Sequence, residues 1–452
     1  MKKKTRKPSP TESPLLIEID PEPIPETLTA MGGVPLVVQT FRSLGLPAKV
    51  REHVRIKERE RGYDEATMVE SFVVLNAVGG ECFDDFQRLR EDPGLSQMIG
   101  HGIPSPEAAR KFLYQFHEEE KIEAAKGRRS GDETAYIPEE TEPLAGLGLV
   151  NRALVQELGR RCPEQRIATV DQDATIIESR KQEALRTYEG QRGYQPMLAV
   201  AKQAFGALPE TVTTYYYRGD AACHESGLIN WLRDEKRAEG PRGCIGFAIS
   251  ARMSEALHKA IEKVAEQAWE PYGRSHPVEI RECAEVSFVP GEKSEHKDRQ
   301  PLRYLAIRIR QRQESLFADG SKVKHFAVVT NIREWKASRL IEWHREKAGT
   351  IEGVHDVLKN ELAAGVMPSK YFGTNAARLR LAVMAHNVMT ALKRLALPAE
   401  LLTARPKRLR FLIFNTPGRL VHHARRLVLR LATTAARLAE WLEALRLLAL
   451  RV

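Results

Sequence analysis

The sequence predicts an α/β protein in which a strand-and-helix centre, extended by a strand-rich insertion, lies between two helical ends. Three observations carry this reading. RIATVDQDATII, TVTTYYYRGD and GCIGFAIS, between residues 166 and 250, are rich in β-branched and aromatic residues, and helical INWLRDEKRA separates the last two. HPVEIRECAEVSFVP, LRYLAIRIRQRQ and KHFAVVTNI then follow one another with few helix signals. On either side of these runs, apolar residues recur at helical spacing.

In chain order, residues 1–29 carry five basic residues in the first seven and then the Pro-rich, acidic IDPEPIPETL. With little to bury, they are expected to form a disordered leader. Residues 30–125 read as a small helical domain. TMVESFVVLNAVGG stops at Gly79-Gly80, and PSPEAARKFLYQFHEEE opens on Ser-Pro. Residues 126–164 form a polar linker and a helix near 147–160. The first part of a mixed α/β core spans 165–253, where YQPMLAVA is read as a further strand, and a β-rich insertion spans 254–332. The second part of the core, 333–395, and a basic region, 396–452, read as helical, broken at Pro368, Pro398, Pro406 and Pro417.

Composition narrows the class. The chain has 452 residues, 42% hydrophobic, enough for two or three domains with real cores. Its five cysteines form no Cys-x-x-Cys pair, which excludes a zinc ribbon and a disulfide scaffold and predicts a reducing cytoplasm. No leader with an apolar core and no charge-free stretch of about 18 residues stands in the sequence, so no membrane span is expected. The net charge is +10. Between Leu401 and Val452, eleven Arg or Lys face only Glu440 and Glu443, which makes the tail a candidate nucleic-acid arm. Its apolar positions between Leu420 and Ala449 fit one helical face, with Arg425 and Arg426 beside it as candidate DNA contacts.

Three acids stand out. Asp171 and Asp173 are two apart on a predicted strand and so share a face. They are either a solvated pair or a divalent-metal pair. Asp220 closes a strand, where open α/β sheets place ligands, although Gly-Asp is also ordinary turn chemistry. On a predicted helix, Arg345, Glu352 and Lys359 are spaced seven and seven, which lines them along one stripe at about 10 Å intervals. Gly349 and Gly353 flank Glu352, each costing about 1 kcal/mol in a helix interior, a cost that close approach of backbone, metal or DNA would explain. An exposed, ion-paired face is the plainer reading. Three separated acids with basic flanks are the parts of a two-metal phosphoryl-transfer site, although spacing alone does not establish one. Cys223-His224-Glu225 lacks a second pair at zinc spacing and reads as a surface turn. Trp269 and Trp335 are core or rim residues, or stack on a flipped base.

DQDAT at 171–175, YYYRGDAAC at 215–223, HREKAGTIEGVHDVLKNELAAG at 344–365 and the order of segments resemble the DDE transposases of bacterial insertion sequences, over about residues 30 to 430. That family has a ribonuclease H-like catalytic domain. Its third acid lies in a signature of Tyr, two residues, Arg, three residues, Glu, six residues, Lys. Glu352 and Lys359 match its second half. In the first half, Arg345 stands where Tyr is expected and Ala348 where Arg is expected, with Lys347 one place away. The family's first acid precedes a small residue and Thr, which selects Asp173 over Asp171. The resemblance implies a ribonuclease H-like core with Asp173, Asp220 and Glu352 as catalytic ligands of two Mg²⁺ (or Mn²⁺) ions, Asp171 being the lesser candidate. Lys359, Arg345 and Lys347 would contact phosphates. The implied activity is cleavage of double-stranded DNA at terminal inverted repeats, read by the N-terminal helices, and joining to target DNA. A homodimer in the DNA complex and a cytoplasmic, nucleoid-associated location follow from the same resemblance.

One departure qualifies it. Only QAFGALPE separates YQPMLAVAK from TVTTYYYRGD, whereas a crossover normally takes a dozen or more residues. A core strand of the family is therefore expected to be missing near residues 201–210. The alternative function is thus a catalytically impaired, DNA-binding remnant.

Overall fold

The computed structural model describes residues 19–22, 24–56, 62–128, 138–173, 197–274, 276–290, 301–311, 317 and 321–449. A short strand, β1 (Thr27–Thr29), precedes helices α1 (Val34–Ser43), α2 (Leu46–His53), α3 (Glu65–Val78), α4 (Asp85–Glu91), α5 (Pro93–Ile99), α6 (Pro106–Tyr114), α7 (Glu119–Gly127) and α8 (Glu142–Arg161). Their starts follow the local chemistry. Asp64, Asp92, Ser105 and Thr141 each cap a helix by accepting a hydrogen bond from a first-turn N–H. Gly79 ends α3 at φ +96°, a conformation suited to glycine.

The central region alternates β2 (Ile167–Gln172), α9 (Met197–Gly206), β3 (Thr214–Gly219), α10 (Ser226–Arg233), β4 (Ile245–Ser250) and α11 (Glu255–Glu262). The insertion supplies β5 (Glu270–Pro271), β6 (Glu279–Val286), β7 (Arg303–Gln311) and β8 (Val323–Thr330). All seven join one mixed sheet in the order β2-β3-β4-β8-β7-β6-β5. The β2-β3-β4 ladder is parallel and the rest antiparallel. One face packs on α9, α10 and α11 around Tyr217, Phe247 and Tyr304. The other, around Leu305 and Val328, packs on α12 (Ala337–Arg345) through Leu340 and Ile341.

The chain continues through α13 (Lys347–Glu361), α14 (Phe372–Leu395), α15 (Pro406–Leu409), β9 (Gly418–His423), β10 (Arg426–Leu431) and α16 (Ala435–Ala449). Helix α14 runs through a large apolar core that joins the N-terminal helices to the C-terminal part. Phe41, Phe72, Phe86, Leu147, Leu381, Met384, Phe414 and Trp441 all belong to it.

The structure corrects four local expectations. Of YQPMLAVA, the described residues Met197–Ala201 are helix rather than strand. Met197, Ala201 and Phe205, four apart, form the buried face of α9, and apart from Val200 the neighbouring Leu, Ala, Lys and Gln are good helix formers. The basic tail is not helical throughout, because β9 and β10 pair as an antiparallel hairpin. Leader residues Thr27–Thr29 are ordered, since β1 pairs with β9 and the Thr29 hydroxyl donates to Asp92 at 2.9 Å. Finally, the helix expected around Glu352 is two helices, broken at Glu346. Residues 201–210, where a strand of the family was expected to be missing, hold the end of α9 and the turn that follows it, and residues 174–196 lie outside the described residues. Among those residues β2 stands at the end of the sheet rather than at its centre.

Candidate active site

Register decides the first two acids. In the parallel ladder Gln172 lies opposite Gly219. Asp173 and Asp220 each follow directly, so both leave the carboxyl ends of adjacent strands, which lie about 4.8 Å apart. The Asp220 carboxyl is near enough to raise the proton affinity of Asp173. Asp220 also caps the turn at Ala221–Cys223, its Oδ1 accepting from the Ala222 N–H at 3.1 Å and the Cys223 N–H at 3.3 Å. That turn fixes the carboxylate.

Burial and the nearby Asp220 carboxyl raise the Asp173 carboxyl from its ordinary 3.8 to about 6, with the charge of Glu352 adding to the rise and Lys347 opposing it. The Lys347 ammonium lies 3.7 Å from Asp173 Oδ2. Lys347, expected at a phosphate, is thus turned onto the first acid at the amino end of α13. Glu352, five residues on, is exposed and close enough for its charge to be felt at Asp173. Among the described residues no three His, Cys, Asp or Glu side chains are gathered closely enough to hold a metal ion. Two acids therefore meet, and the third faces them without joining them.

Asp171 has a different part. Arg218, opposite it in the ladder, grips both its oxygens at 2.6 and 2.8 Å, and the Thr350 hydroxyl donates to it as well. The guanidinium is buried, donates to the Trp343 carbonyl at 2.5 Å and lies over the Trp343 ring. A bidentate pair of this kind ties β2, β3, α12 and α13 together behind the acids. His344, one residue further along α12, is buried with Nε2 3.0 Å from the Gly219 carbonyl. Burial lowers it to about 4, so it is neutral at pH 7. Arg218 and His344 were not singled out in the sequence. The Arg in YYYRGD could have been, because an arginine inside an apolar strand run demands an acid.

The remaining expected contacts fall elsewhere. Arg345 closes α12, and its Nη1 donates to the Tyr272 hydroxyl at 3.0 Å, away from the stripe predicted with Glu352 and Lys359. Lys359 lies on the carboxyl half of α13, and its charge and that of Glu352 both act on His355. Gly349 and Gly353 have open space where a Cβ would stand. Arg425 and Arg426 sit at the tip of the β9-β10 hairpin, not on a helix. Other tail cations serve the fold: Arg405 pairs with Glu361 at 2.6 Å and with Asp356, while Arg410 donates to the Ala77 carbonyl at 2.8 Å. Trp269 is buried beneath Arg308, and Trp335 packs on Tyr216 and Trp343, so both rings are occupied.

Two hard carboxylate donors leave adjacent strand ends, one of them at raised proton affinity with an ammonium beside it, which is the donor chemistry a divalent cation takes, while among the described residues no third acid joins them. A family model described as Transposase DDE domain group 1 matches residues 200–451. Asp220 and Glu352 fall within that span, and Asp173 precedes it. Among curated proteins, none matches the chain.

Proposed function

The chain belongs to the DDE transposases, and from that premise we propose that it cleaves double-stranded DNA at the ends of an insertion sequence and joins those ends to target DNA. One observation carries this reading: Asp173 and Asp220 leave the carboxyl ends of adjacent parallel strands at the same register, and Asp220 and Glu352, on α13, are near enough to raise the proton affinity of Asp173. Asp173, Asp220 and Glu352 would hold two Mg²⁺ (or Mn²⁺) ions, which when bound supply an activated oxygen nucleophile and charge stabilisation for the leaving 3′ oxygen. Asp220 is held in place by its turn. Arg218 and Asp171 fix the two strand ends in register, and Lys347, which lies 3.7 Å from Asp173, would contact a phosphate. In this reading the β2-β3-β4 unit is the ribonuclease H-like core, β5 to β8 its insertion, and the protein works as a homodimer on nucleoid DNA.

The test is a cleavage assay on a duplex carrying the DNA that flanks the coding sequence, with Mg²⁺ present. Asp173→Asn, Asp220→Asn and Glu352→Gln should each abolish strand cleavage and leave duplex binding within about twofold, since the acids hold metal rather than bases. Wild-type-like cleavage by any one of them removes that residue from the site. The second reading, an impaired DNA-binding remnant, is favoured by the separation of Glu352 from the other two acids. It predicts specific binding without cleavage in the unmodified chain.

A further inference from the structure

A groove of about 660 Å³ runs between the α1–α2 turn and the outer face of α8, lined by Lys49, Arg152, Arg160, Arg161 and Glu157 among others. Four cations thus face one carboxylate. Their roles differ with depth. Arg161 is nearly buried, clamped by Glu157 at 2.8 Å and by the Ser43 carbonyl at 2.5 Å, and its Nη1 has no hydrogen-bond partner among the described residues. It gives the groove a fixed positive floor. Arg160 and Lys49 are more exposed, and each pairs with an acid three residues away on its own helix, Arg160 with Glu157 and Lys49 with Glu52. Solvated pairs of this kind contribute about 0–1 kcal/mol and exchange readily for a phosphate. Arg152 makes no ion pair among the described residues. Helix α2 begins on the same wall at Gly45 with no capping side chain, so its first-turn N–H groups add positive potential.

We infer that this groove binds the phosphodiester backbone of duplex DNA as a second contact, apart from the acids. The inference rests on the reading of the chain as an enzyme acting on DNA. Helix α8 ends at Arg161, shortly before the amino end of β2, whereas Asp173 follows its carboxyl end. The six residues of β2 alone span about 20 Å, and the groove lies beyond the strand's amino end, so a duplex that touches both must run for more than that, which one to two turns of B-DNA at about 34 Å each supply. A contact there would fix the orientation of the DNA without reading its sequence, as backbone contacts do.

The experiment is fluorescence anisotropy of the full chain with a 30-bp random-sequence duplex between about 50 and 200 mM salt. Lys49→Gln, Arg152→Gln and Arg160→Gln are combined in one variant, whose fold is checked by its melting curve, and Arg152→Glu is made alone as a milder perturbation. Three lost phosphate contacts should flatten the log–log salt slope by about 2.7 and weaken binding at least about tenfold at 100 mM salt. Arg152→Glu should flatten it by about one and weaken binding less. A folded triple variant with the slope of the wild type overturns the groove while leaving the proposed function standing. A wild-type chain with no salt-dependent duplex binding overturns both. Cleavage loss in the Asp220→Asn variant with an unaltered slope supports both, and shows that the two sites act separately.

Discussion

Replacing Asp173 with Asn should make the metal-free protein more stable at neutral pH, although it removes the proposed first ligand. The rise of the Asp173 carboxyl from 3.8 to about 6 is the cost of ionising it where it stands, and it already includes the attraction of Lys347. At 1.36 kcal/mol per pH unit the difference is about 3 kcal/mol. Solvent reaching the site screens part of this, leaving about 1–2 kcal/mol. A carboxyl raised in the folded state contributes stability that is present below about pH 4 and lost as the pH climbs through 6. The advantage of Asp173→Asn over wild type should therefore be small at pH 4, grow to pH 6 and level off above it. His344, lowered to about 4 by burial, destabilises both proteins equally as the pH falls and cancels in the comparison. Paired thermal melts from pH 4 to 8 measure the difference, expected to be a few degrees at pH 7.5. Millimolar Mg²⁺ or Mn²⁺ should raise the wild-type midpoint and leave that of the variant unchanged. A variant that melts at or below wild type at pH 7.5, or that gains equally from metal, would refute the account of Asp173 as a carboxyl raised by burial beside Asp220.

Three further outcomes follow from the packing. Asp171→Ala removes the bidentate partner of the buried Arg218 guanidinium and leaves it only the exposed Glu346 as a charged partner at 3.2 Å, which should cost up to about 3–5 kcal/mol, read by urea titration, whereas Asp171→Ala with Arg218→Met should recover much of the loss. Ala424 and Arg425 hold φ of +47° and +62° at the hairpin tip, so Ala424→Asn with Arg425→Gly, the residues this turn prefers, should add about 1 kcal/mol, and a lower midpoint would refute the strain argument. Truncation after Ala404 removes Phe414, Trp441 and Leu448 from the main core, and at about 1.5–3 kcal/mol for each should yield unfolded protein. A folded truncated chain with weaker DNA binding would restore the tail to a purely electrostatic role.

Strand runs such as TVTTYYYRGD were legible because branched and aromatic residues have few other uses at that density. Their register was not. Nothing local says that Gln172 faces Gly219, and that pairing is what brings Asp173 to Asp220. Helix α9 was misread because Met-Leu-Ala-Val-Ala is apolar at either period, and only burial of Met197, Ala201 and Phe205 on one face separates the two. The hairpin was hidden for the opposite reason. Leu420, Leu427, Val428 and Leu431 satisfy a helical repeat, while β1, the strand that draws β9 into a sheet, lies almost the whole chain away. Glu352 was found through its spacing to Lys359. The turn of Lys347 onto Asp173 needed the break at Glu346, which no propensity marks.

The core that Phe41 and Phe72 share with Leu381 and Trp441 also sets a clock. The ribosome delivers α1 to α8 first, then the whole sheet, and only afterwards α14, which the early helices need as their inner wall. At about 5–20 residues per second, their apolar faces wait tens of seconds for it. During that interval the sheet can close on its own two apolar clusters. The nascent protein would thus hold its acids in place before the body that surrounds α14 exists, and a chaperone that shields α1 to α8 during that delay should raise the yield of folded chain more than one acting after release.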